Sequence, residues 1–249
     1  MGFSGEKIWI VGASSGIGAQ LARRLYKNGA TFILSARSED DLHALNNELG
    51  GGHSVIPFDI SDFEQVRNAV DKAKNEHSQI DRIICTAGIY EPKSVLDMDE
   101  SDLRKIMDVN LTGVIYFSQQ ALKAVRAQDK AQIAVCASVA GYVGLPNGQP
   151  YSASKAGLIN FMQSMHVEAE KHIDIKMISP GFVKTPLTDK NTFDMPFIIE
   201  VDDAAREIEK GLESGKFEIH FPKKLTLSLK FISILPNCLK FLICSKFKR

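Results

Sequence analysis

Short apolar runs alternate with helical patterns along most of the chain, and this alternation constrains the fold more than any other feature. The runs occupy residues 6–11, 31–36, 54–58, 80–85, 132–137 and 173–179. Apolar strands separated by helices are typical of a parallel sheet that is covered on both faces. A helical segment over 202–214 and a seventh strand over 217–221 complete the pattern. With 249 residues and 44% hydrophobic content, residues 1–222 are predicted to form one doubly wound α/β domain of about seven parallel strands.

A glycine-rich turn follows the first apolar run. Residues 12–18 read GASSGIG, and an amphipathic stretch follows from Gln20 to Asn28. Glycines let backbone N–H groups approach a pyrophosphate, and the positive end of the following helix attracts its charge. The turn therefore predicts dinucleotide binding, with a tight turn that binds nothing as the alternative. The predicted cofactor-binding residues of the turn are Gly12, Ser14, Ser15, Gly16, Ile17 and Gly18.

Tyr151 and Lys155 are four residues apart in a segment that is predicted to be helical, so both side chains share one face. An ammonium group beside a phenol favours the phenolate, so we expect Lys155 to lower a pKa that starts near ~10. Tyr151 is therefore a candidate general acid. The alternative is that the two residues are merely neighbours on a helix surface.

Ser138 follows the apolar segment 133–137 and is predicted to lie at the carboxyl end of a central strand. Open parallel sheets bind their ligands at that edge. A serine hydroxyl at this position can donate a hydrogen bond to a substrate oxygen. A helix cap or a turn residue is the alternative role.

Together these residues resemble the short-chain dehydrogenase/reductase family in its compact single-domain branch, over roughly residues 5–222. The TGxxxGxG turn of that family is matched by residues 11–18, with Val11 in place of threonine. Its NNAG segment is matched by residues 85–88, which read CTAG, so both asparagines are lost and a weaker structural element is expected. Its PGxVxT segment is matched by residues 180–185. The fold that this resemblance implies is Rossmann-like.

The resemblance also implies roles for individual residues. Asn110, Ser138, Tyr151 and Lys155 match the catalytic tetrad of the family. Ser138 and Tyr151 are then expected to hold a carbonyl while the nicotinamide delivers hydride and Tyr151 donates the proton. Lys155 is expected to bind the nicotinamide ribose, and Asn110 to support a water relay or to have structural duties only. Further implied cofactor contacts are Asp59, Ile60, Ala87, Gly88, Tyr151, Lys155, Pro180, Gly181, Val183 and Thr185.

The residues after the second apolar run indicate which cofactor is used. An NAD-selective site has a carboxylate at this strand end, which binds the ribose 2′-hydroxyl and repels a 2′-phosphate. Ala36 lacks a carboxylate, whereas Arg37 offers a planar set of donors and Ser14 and Ser38 add hydroxyl groups. The sequence therefore favours NADP(H) over NAD(H). The alternative is that Arg37 is a solvated charge at the start of the next helix.

Residues 223–249 form a basic and apolar tail. It holds seven of the 30 basic residues and none of the 30 acidic ones, which leaves residues 1–222 with a formal charge of −7. Lys230, Pro236 and Lys240 interrupt its apolar residues, so it falls short of the ~20-residue span that crosses a bilayer. A segment of this kind can bind an anionic membrane surface. The alternatives are a helix over the substrate cleft, a contact with a partner subunit, and a disordered end.

The substrate is predicted to be a small-molecule carbonyl or alcohol of apolar character. Apolar side chains follow residues 180–181, where they are expected to form a pocket wall together with the loop 141–150 or to pack a lid. They are Phe182, Leu187, Phe193, Met195, Phe197 and Ile198. Two other classes stay open: an isomerase or dehydratase, and a protein that senses NADP(H) without turnover.

The remaining expectations concern location and partners. The N-terminus lacks the pattern of a secretory signal, so a cytoplasmic protein is predicted, with peripheral membrane contact through the tail as an option. The scattered histidines and cysteines predict no metal site. No groove-reading or aromatic motif accompanies the basic tail, so no nucleic acid is expected as a partner. The family resemblance implies a homo-oligomer, a dimer or a tetramer.

Overall fold

Seven parallel strands form one sheet in the computed structural model, which describes residues 2–191 and 193–246. The strands are β1 (Lys7–Val11), β2 (Thr31–Ser35), β3 (Ser54–Val55), β4 (Arg82–Cys85), β5 (Ala131–Cys136), β6 (Ile173–Pro180) and β7 (Glu218–Phe221). Their order across the sheet is β3-β2-β1-β4-β5-β6-β7, and every neighbouring pair is parallel. The chain builds from β1 to one edge and then from β4 to the other. The predicted doubly wound, Rossmann-like α/β fold is confirmed.

Helices cover both faces of the sheet. They are α1 (Gly16–Tyr26), α2 (Glu39–Glu48), α3 (Phe63–Glu76), α4 (Glu100–Met107), α5 (Gly113–Val125), α6 (Tyr151–Glu168), α7 (Val201–Leu212), α8 (Lys223–Ile234) and α9 (Asn237–Ser245). Alternate residues of β1 point to opposite faces, so Ile8 and Ile10 join the core beneath α1, α2 and α7. Trp9 and Val11 join the core beneath α3, α5 and α6. Burial on both faces is the reason that the strands appear as continuous apolar runs.

The third strand is shorter than the sequence predicts. It spans Ser54–Val55 rather than residues 54–58, although Ile56 and Phe58 are still buried. Their amides still donate to the carbonyls of Leu34 and Ala36, at 3.0 and 3.1 Å. Pro57 lies between them, and its position in an edge strand needs no donor toward β2, so single hydrogen bonds to β2 continue to residue 58 beyond the regular strand.

The tail continues the fold as α8 and α9. Leu225, Thr226 and Leu229 of α8 are buried, and the two leucines pack with Val139 and Phe182. Of the seven basic tail residues, Lys248 and Arg249 lie outside the described residues. None of the helices within residues 2–191 and 193–246 has the length and apolar content to cross a membrane.

Candidate active site

A cavity of about 700 Å³ lies at the carboxyl ends of the central strands. Its walls come from the segments that follow β1, β2, β4, β5 and β6, so it lies where the strand order reverses. The cavity is lined by all of the predicted site residues except Asn110. Those lining residues are Gly12, Ser14, Ser15, Gly16, Ile17, Gly18, Arg37, Asp59, Ile60, Ala87, Gly88, Ser138, Tyr151, Lys155, Pro180, Gly181, Val183 and Thr185.

The glycine turn has no room for side chains at two of its positions. Gly12 has a φ of +89°, and a Cβ there would lie 2.7 Å from the backbone nitrogen of Ala87. A Cβ on Gly18 would lie 2.2 Å from the carbonyl oxygen of Gly12. These contacts hold β1, the first turn of α1 and the segment after β4 against one another. The amino-terminal end of α1 consequently faces the cavity, as a site for pyrophosphate requires.

Thr86 supports the glycine turn in place of the asparagines that this chain lacks. Its hydroxyl donates to the carbonyl oxygens of Val11 and Gly12, at 3.0 and 3.3 Å. The Thr86 amide also donates to Val11, at 2.7 Å. The sequence predicts a weakened element here, but the structure shows that a threonine makes the connection between β4 and the turn.

Asn110 lies beside the cavity rather than on its wall. It is fully buried in a π-helical turn (Asp108–Thr112) between α4 and α5, a feature that is frequent at functional sites. Its amide group donates to the carbonyl of Ile89 at 2.7 Å and accepts from the Ile89 amide at 2.8 Å. A Cβ on Gly88 would lie 3.4 Å from the Asn110 Oδ1 and 3.6 Å from the Lys155 Nζ. In these contacts Asn110 has the structural role, next to Lys155.

Ser138 and Tyr151 place two hydroxyl groups on the same wall of the cavity. Ser138 follows β5, and its hydroxyl caps a short 3₁₀ helix (Val139–Gly141) by accepting from the Ala140 amide at 3.1 Å. Tyr151 is the first residue of α6, and its phenol is hydrogen-bonded to Ser138. Ser138 therefore caps a helix, as one prediction has it, and also lies at the cavity, as the other has it. A carbonyl oxygen in the cavity can be reached by both hydroxyl groups.

The pKa of Tyr151 is shifted opposite to the direction that the sequence predicts. Burial raises the pKa of the phenol well above its ordinary value, and the hydrogen bond from Ser138 offsets only part of this rise. Lys155 donates from its Nζ to the carbonyl of Cys136 at 2.9 Å, and this Nζ lies 5.6 Å from the centre of the Tyr151 ring. Burial also lowers the pKa of Lys155. In this arrangement the expected acidification of Tyr151 by Lys155 is wrong, and Tyr151 retains its proton at neutral pH.

Arg37 and Asp59 lie at the β2 side of the cavity. The Arg37 side chain is 61% exposed, and its Nη1 lies 4.0 Å from the Asp59 Oδ2. The other carboxylate oxygen of Asp59 accepts from the amide and the hydroxyl of Ser61. Ser38 also lines the cavity and caps α2 through the Asp41 amide. The guanidinium group is therefore free to meet an anion beside a strand end that carries no carboxylate.

Tyr90 is a site residue that the sequence analysis missed. Its ring meets the Tyr151 ring edge to face at 4.9 Å, and both line the cavity. The Tyr90 hydroxyl donates to the Asn191 Oδ1 at 2.9 Å, and the Lys190 Nζ donates to the Tyr90 carbonyl at 3.0 Å. In the sequence, the position of this aromatic residue two places after the CTAG segment could have indicated that it lies at the site. These contacts connect the segment after β6 to Tyr90, beside the phenol of Tyr151.

The apolar wall is present only in part. Of the six residues predicted for it, only Leu187 lines the cavity within the described residues. Phe182 and Phe193 contact each other edge to face at 5.9 Å, but Phe182 packs against the cluster beneath α8. Phe193 and Phe197 are 38% and 51% exposed. The prediction failed because an apolar stretch does not reveal which core its side chains join.

Comparison with known proteins identifies relatives. A family model described as "short chain dehydrogenase" matches residues 6–195. The chain is 33% identical over 188 residues to a 3-oxoacyl-(acyl-carrier-protein) reductase of Rickettsia prowazekii, which covers 75% of this chain and 76% of the relative. It is 30% identical over 252 residues to the 11-beta-hydroxysteroid dehydrogenase-like 2 protein of Arabidopsis thaliana, covering 96% and 81%.

A solved structure has the same fold. It is a short-chain dehydrogenase from Burkholderia cenocepacia in complex with NADP, with a TM-score of 0.84 and 24% identity. The match covers 96% of this chain and 97% of that chain. The fold therefore agrees over nearly the whole length of both proteins.

Proposed function

Because the chain belongs to the short-chain dehydrogenase/reductase family, an oxidoreductase family, we propose that it interconverts a carbonyl and an alcohol by hydride transfer with NADP(H). The observation that carries the proposal is the pair of hydrogen-bonded hydroxyl groups of Ser138 and Tyr151 on the wall of the cavity. The same cavity contains the glycine turn. A dinucleotide on the turn and a small carbonyl at the hydroxyl pair would share one cavity.

The residues around the cavity fit a nicotinamide dinucleotide. The Ser14–Gly18 segment and the start of α1 offer backbone N–H groups to a pyrophosphate. Asp59 and Ile60 would flank the adenine, and Ala87, Gly88, Pro180, Gly181, Val183 and Thr185 would line the path toward the nicotinamide. When bound, the reduced nicotinamide supplies the hydride.

Tyr151 has the protonation state that carbonyl reduction requires. A phenol that burial keeps protonated donates a hydrogen bond to a carbonyl oxygen and then its proton to the developing alkoxide. Ser138 donates a second hydrogen bond to the same oxygen. Lys155 lies beneath the ring and would bind the ribose. Asn110 holds the Ile89 backbone, and its water relay stays a prediction.

NADP(H) is preferred over NAD(H) because of the groups at the β2 side of the cavity. Ala36 leaves the strand end without a carboxylate, and Arg37 offers several donors to a 2′-phosphate. Ser14 and Ser38 add hydroxyl groups. Solved structures with the same fold, the Burkholderia enzyme with NADP and an actinorhodin polyketide ketoreductase with NADPH, are consistent with this choice.

The test follows NADPH consumption with a panel of carbonyl compounds. Leu187 and Tyr90 on the cavity wall favour an apolar substrate, so the panel includes 3-oxoacyl thioesters, ketosteroids, aromatic ketones and aliphatic aldehydes. We expect turnover with one class, and a ~10²–10⁴-fold loss of kcat/KM in Tyr151→Phe at unchanged NADPH affinity. Tyr116→Phe, away from the cavity, is the matched control and keeps the rate.

Two outcomes would contradict the proposal. A protein that binds NADPH and reduces none of the compounds behaves as a sensor. Conversion without net NADPH consumption indicates an isomerase or dehydratase that uses the same phenol. A homo-oligomer and a cytoplasmic location stay predictions, which sedimentation velocity and cell fractionation test separately.

A further inference from the structure

The tail helix α8 has two different faces. Leu225 and Leu229 face inward and are buried against the catalytic domain. Leu227, Phe231 and Ile234 recur at positions i, i+4 and i+7 on the opposite side, where they are 56%, 61% and 78% exposed. A helix packed on a domain ordinarily presents polar residues to water, and α8 presents an apolar stripe instead.

Helix α9, which follows α8 in the chain, also has exposed apolar side chains. Leu239, Phe241 and Leu242 are 47%, 65% and 61% exposed, and Cys244 is the one buried residue of the helix. Six of the fourteen exposed large apolar side chains of the described chain thus lie within residues 227–242. We call these six side chains the apolar tail face. Such a concentration marks an interaction surface rather than scattered exposure.

The charge of the tail helices is complementary to an anionic partner. Lys223, Lys224, Lys240 and Lys246 lie on the same two helices or beside them, and none of the ion pairs among residues 2–191 and 193–246 involves them. Residues 223–249 contain no acidic side chain. A two-fold contact between copies would bring these lysines together, whereas anionic headgroups would neutralise them.

Contacts of α8 fix its part of the apolar tail face, Leu227, Phe231 and Ile234, relative to the cavity. Lys230 is paired with Glu218, which also accepts a hydrogen bond from Tyr142. The Thr226 hydroxyl is hydrogen-bonded to the His220 ring at 2.6 Å. The Leu225 side chain packs on Gly181, a cavity residue, where an added Cβ would lie 2.7 Å from the Leu225 Cδ2. The α8 helix is therefore part of the domain that contains the site, and α9 follows it directly in the chain.

We propose that the apolar tail face and its lysines bind the surface of an anionic membrane, with α9 lying in the headgroup region. α9 has nine residues, which at ~1.5 Å per residue is far too short to span a bilayer, so the contact is with one leaflet. The binding itself does not depend on the proposed function. If that function also holds, the enzyme takes an apolar carbonyl from the bilayer in which such compounds dissolve.

The experiment is co-sedimentation of the full-length protein with vesicles of phosphatidylcholine alone and of phosphatidylcholine mixed with phosphatidylglycerol. We expect binding to the anionic vesicles, weaker binding to the neutral ones, and weakening by salt. Each lysine near such a surface contributes about fivefold to partitioning, so Lys240→Gln with Lys246→Gln should lower it about thirtyfold. Replacing Leu239, Phe241 and Leu242 together by serine should lower it at least about tenfold.

Two matched controls use exposed residues elsewhere. Val95, Leu96 and Val167 replaced together by serine remove as many exposed apolar side chains, and Lys27→Gln with Lys171→Gln removes as many charges. Both should partition as the wild type does. Melting temperatures show which variants are folded. If the triple serine variant is unfolded, the variant with Lys240→Gln and Lys246→Gln tests the membrane contact alone.

The proposal is wrong if the wild type stays in the supernatant with anionic vesicles, or if folded tail variants partition as it does. It is equally wrong if the wild type is a dimer that the triple serine variant dissociates and neither protein binds vesicles. That result would show that a second copy covers the apolar tail face.

Discussion

Replacement of Arg37 by alanine should weaken the binding of NADPH much more than the binding of NADH. The guanidinium group lies at a strand end that holds no carboxylate, so it is the main charged donor available to a 2′-phosphate there. A hydrogen bond to a charged group contributes ~1.5–3 kcal/mol. Because the Arg37 side chain is 61% exposed, solvent screens the contact and the lower end of that range applies. The expected loss of NADPH affinity is therefore about tenfold.

NADH lacks the 2′-phosphate, so its affinity should change by less than about twofold, within the range of weak surface contacts. Fold stability should also be unchanged, since the Arg37–Asp59 pair is 4.0 Å apart and largely solvated. Both dissociation constants are measured by titration of cofactor fluorescence on the same protein preparation. Arg37→Lys is the matched variant and should lose less NADPH affinity than Arg37→Ala, because an ammonium keeps the charge without the planar donors.

A substitution of Asp59 tests the contact between Arg37 and the 2′-phosphate independently. Its carboxylate lies beside the guanidinium group and would face the phosphate directly in Arg37→Ala. Asp59→Asn in that background should recover part of the lost NADPH affinity. Equal weakening of NADPH and NADH in Arg37→Ala, or no effect on either, would refute the phosphate role of Arg37.

Two further predictions concern stability. Thr86→Val should lower the free energy of unfolding by ~1 kcal/mol in urea titrations, because the hydrogen bond of the hydroxyl is lost while the carbonyl of Val11 keeps its bond from the Thr86 amide. Thr86→Ser keeps a hydroxyl and should have the stability of the wild type. Equal stability of Thr86→Val and wild type would contradict the supporting role of the hydroxyl. Burial raises the pKa of Tyr151, so its contribution to stability is complete below the ordinary phenol value of ~10 and is lost as pH rises above it. The melting temperature should fall less steeply in strong alkali for Tyr151→Phe than for wild type, and parallel curves would contradict the shift.

The fold was predictable because the signals are local. The central strands are short, apolar on both faces and bounded by helical patterns, and these properties indicate a covered parallel sheet without knowledge of contacts. The prediction for β3 was right about the pairing, since Ile56 and Phe58 still donate to β2, and wrong about the length of the regular strand. The glycine turn was predictable for a similar reason: close approach of backbone to backbone excludes side chains at Gly12 and Gly18.

Contacts between distant segments were not predictable. Tyr90 and Asn191 are 101 residues apart and meet through one hydrogen bond. Phe182 was expected at the cavity, but it packs instead against a separate cluster that includes residues of α8. Thr86 stands where the family pattern has an asparagine, and its supporting role is visible only from the positions of the Val11 and Gly12 carbonyls that its hydroxyl contacts.

The direction in which the pKa of Tyr151 is shifted shows why residue types alone do not determine the chemistry of a site. Spacing places a lysine one turn from the phenol, and an opposite charge at that distance favours the phenolate. Burial favours the neutral phenol, and its magnitude depends on the whole fold rather than on neighbouring residues. In the structure Lys155 is directed to the Cys136 carbonyl, so burial prevails and Tyr151 stays protonated. A protonated phenol is the form that can donate to an alkoxide, so the outcome that the sequence missed is the one that favours reduction.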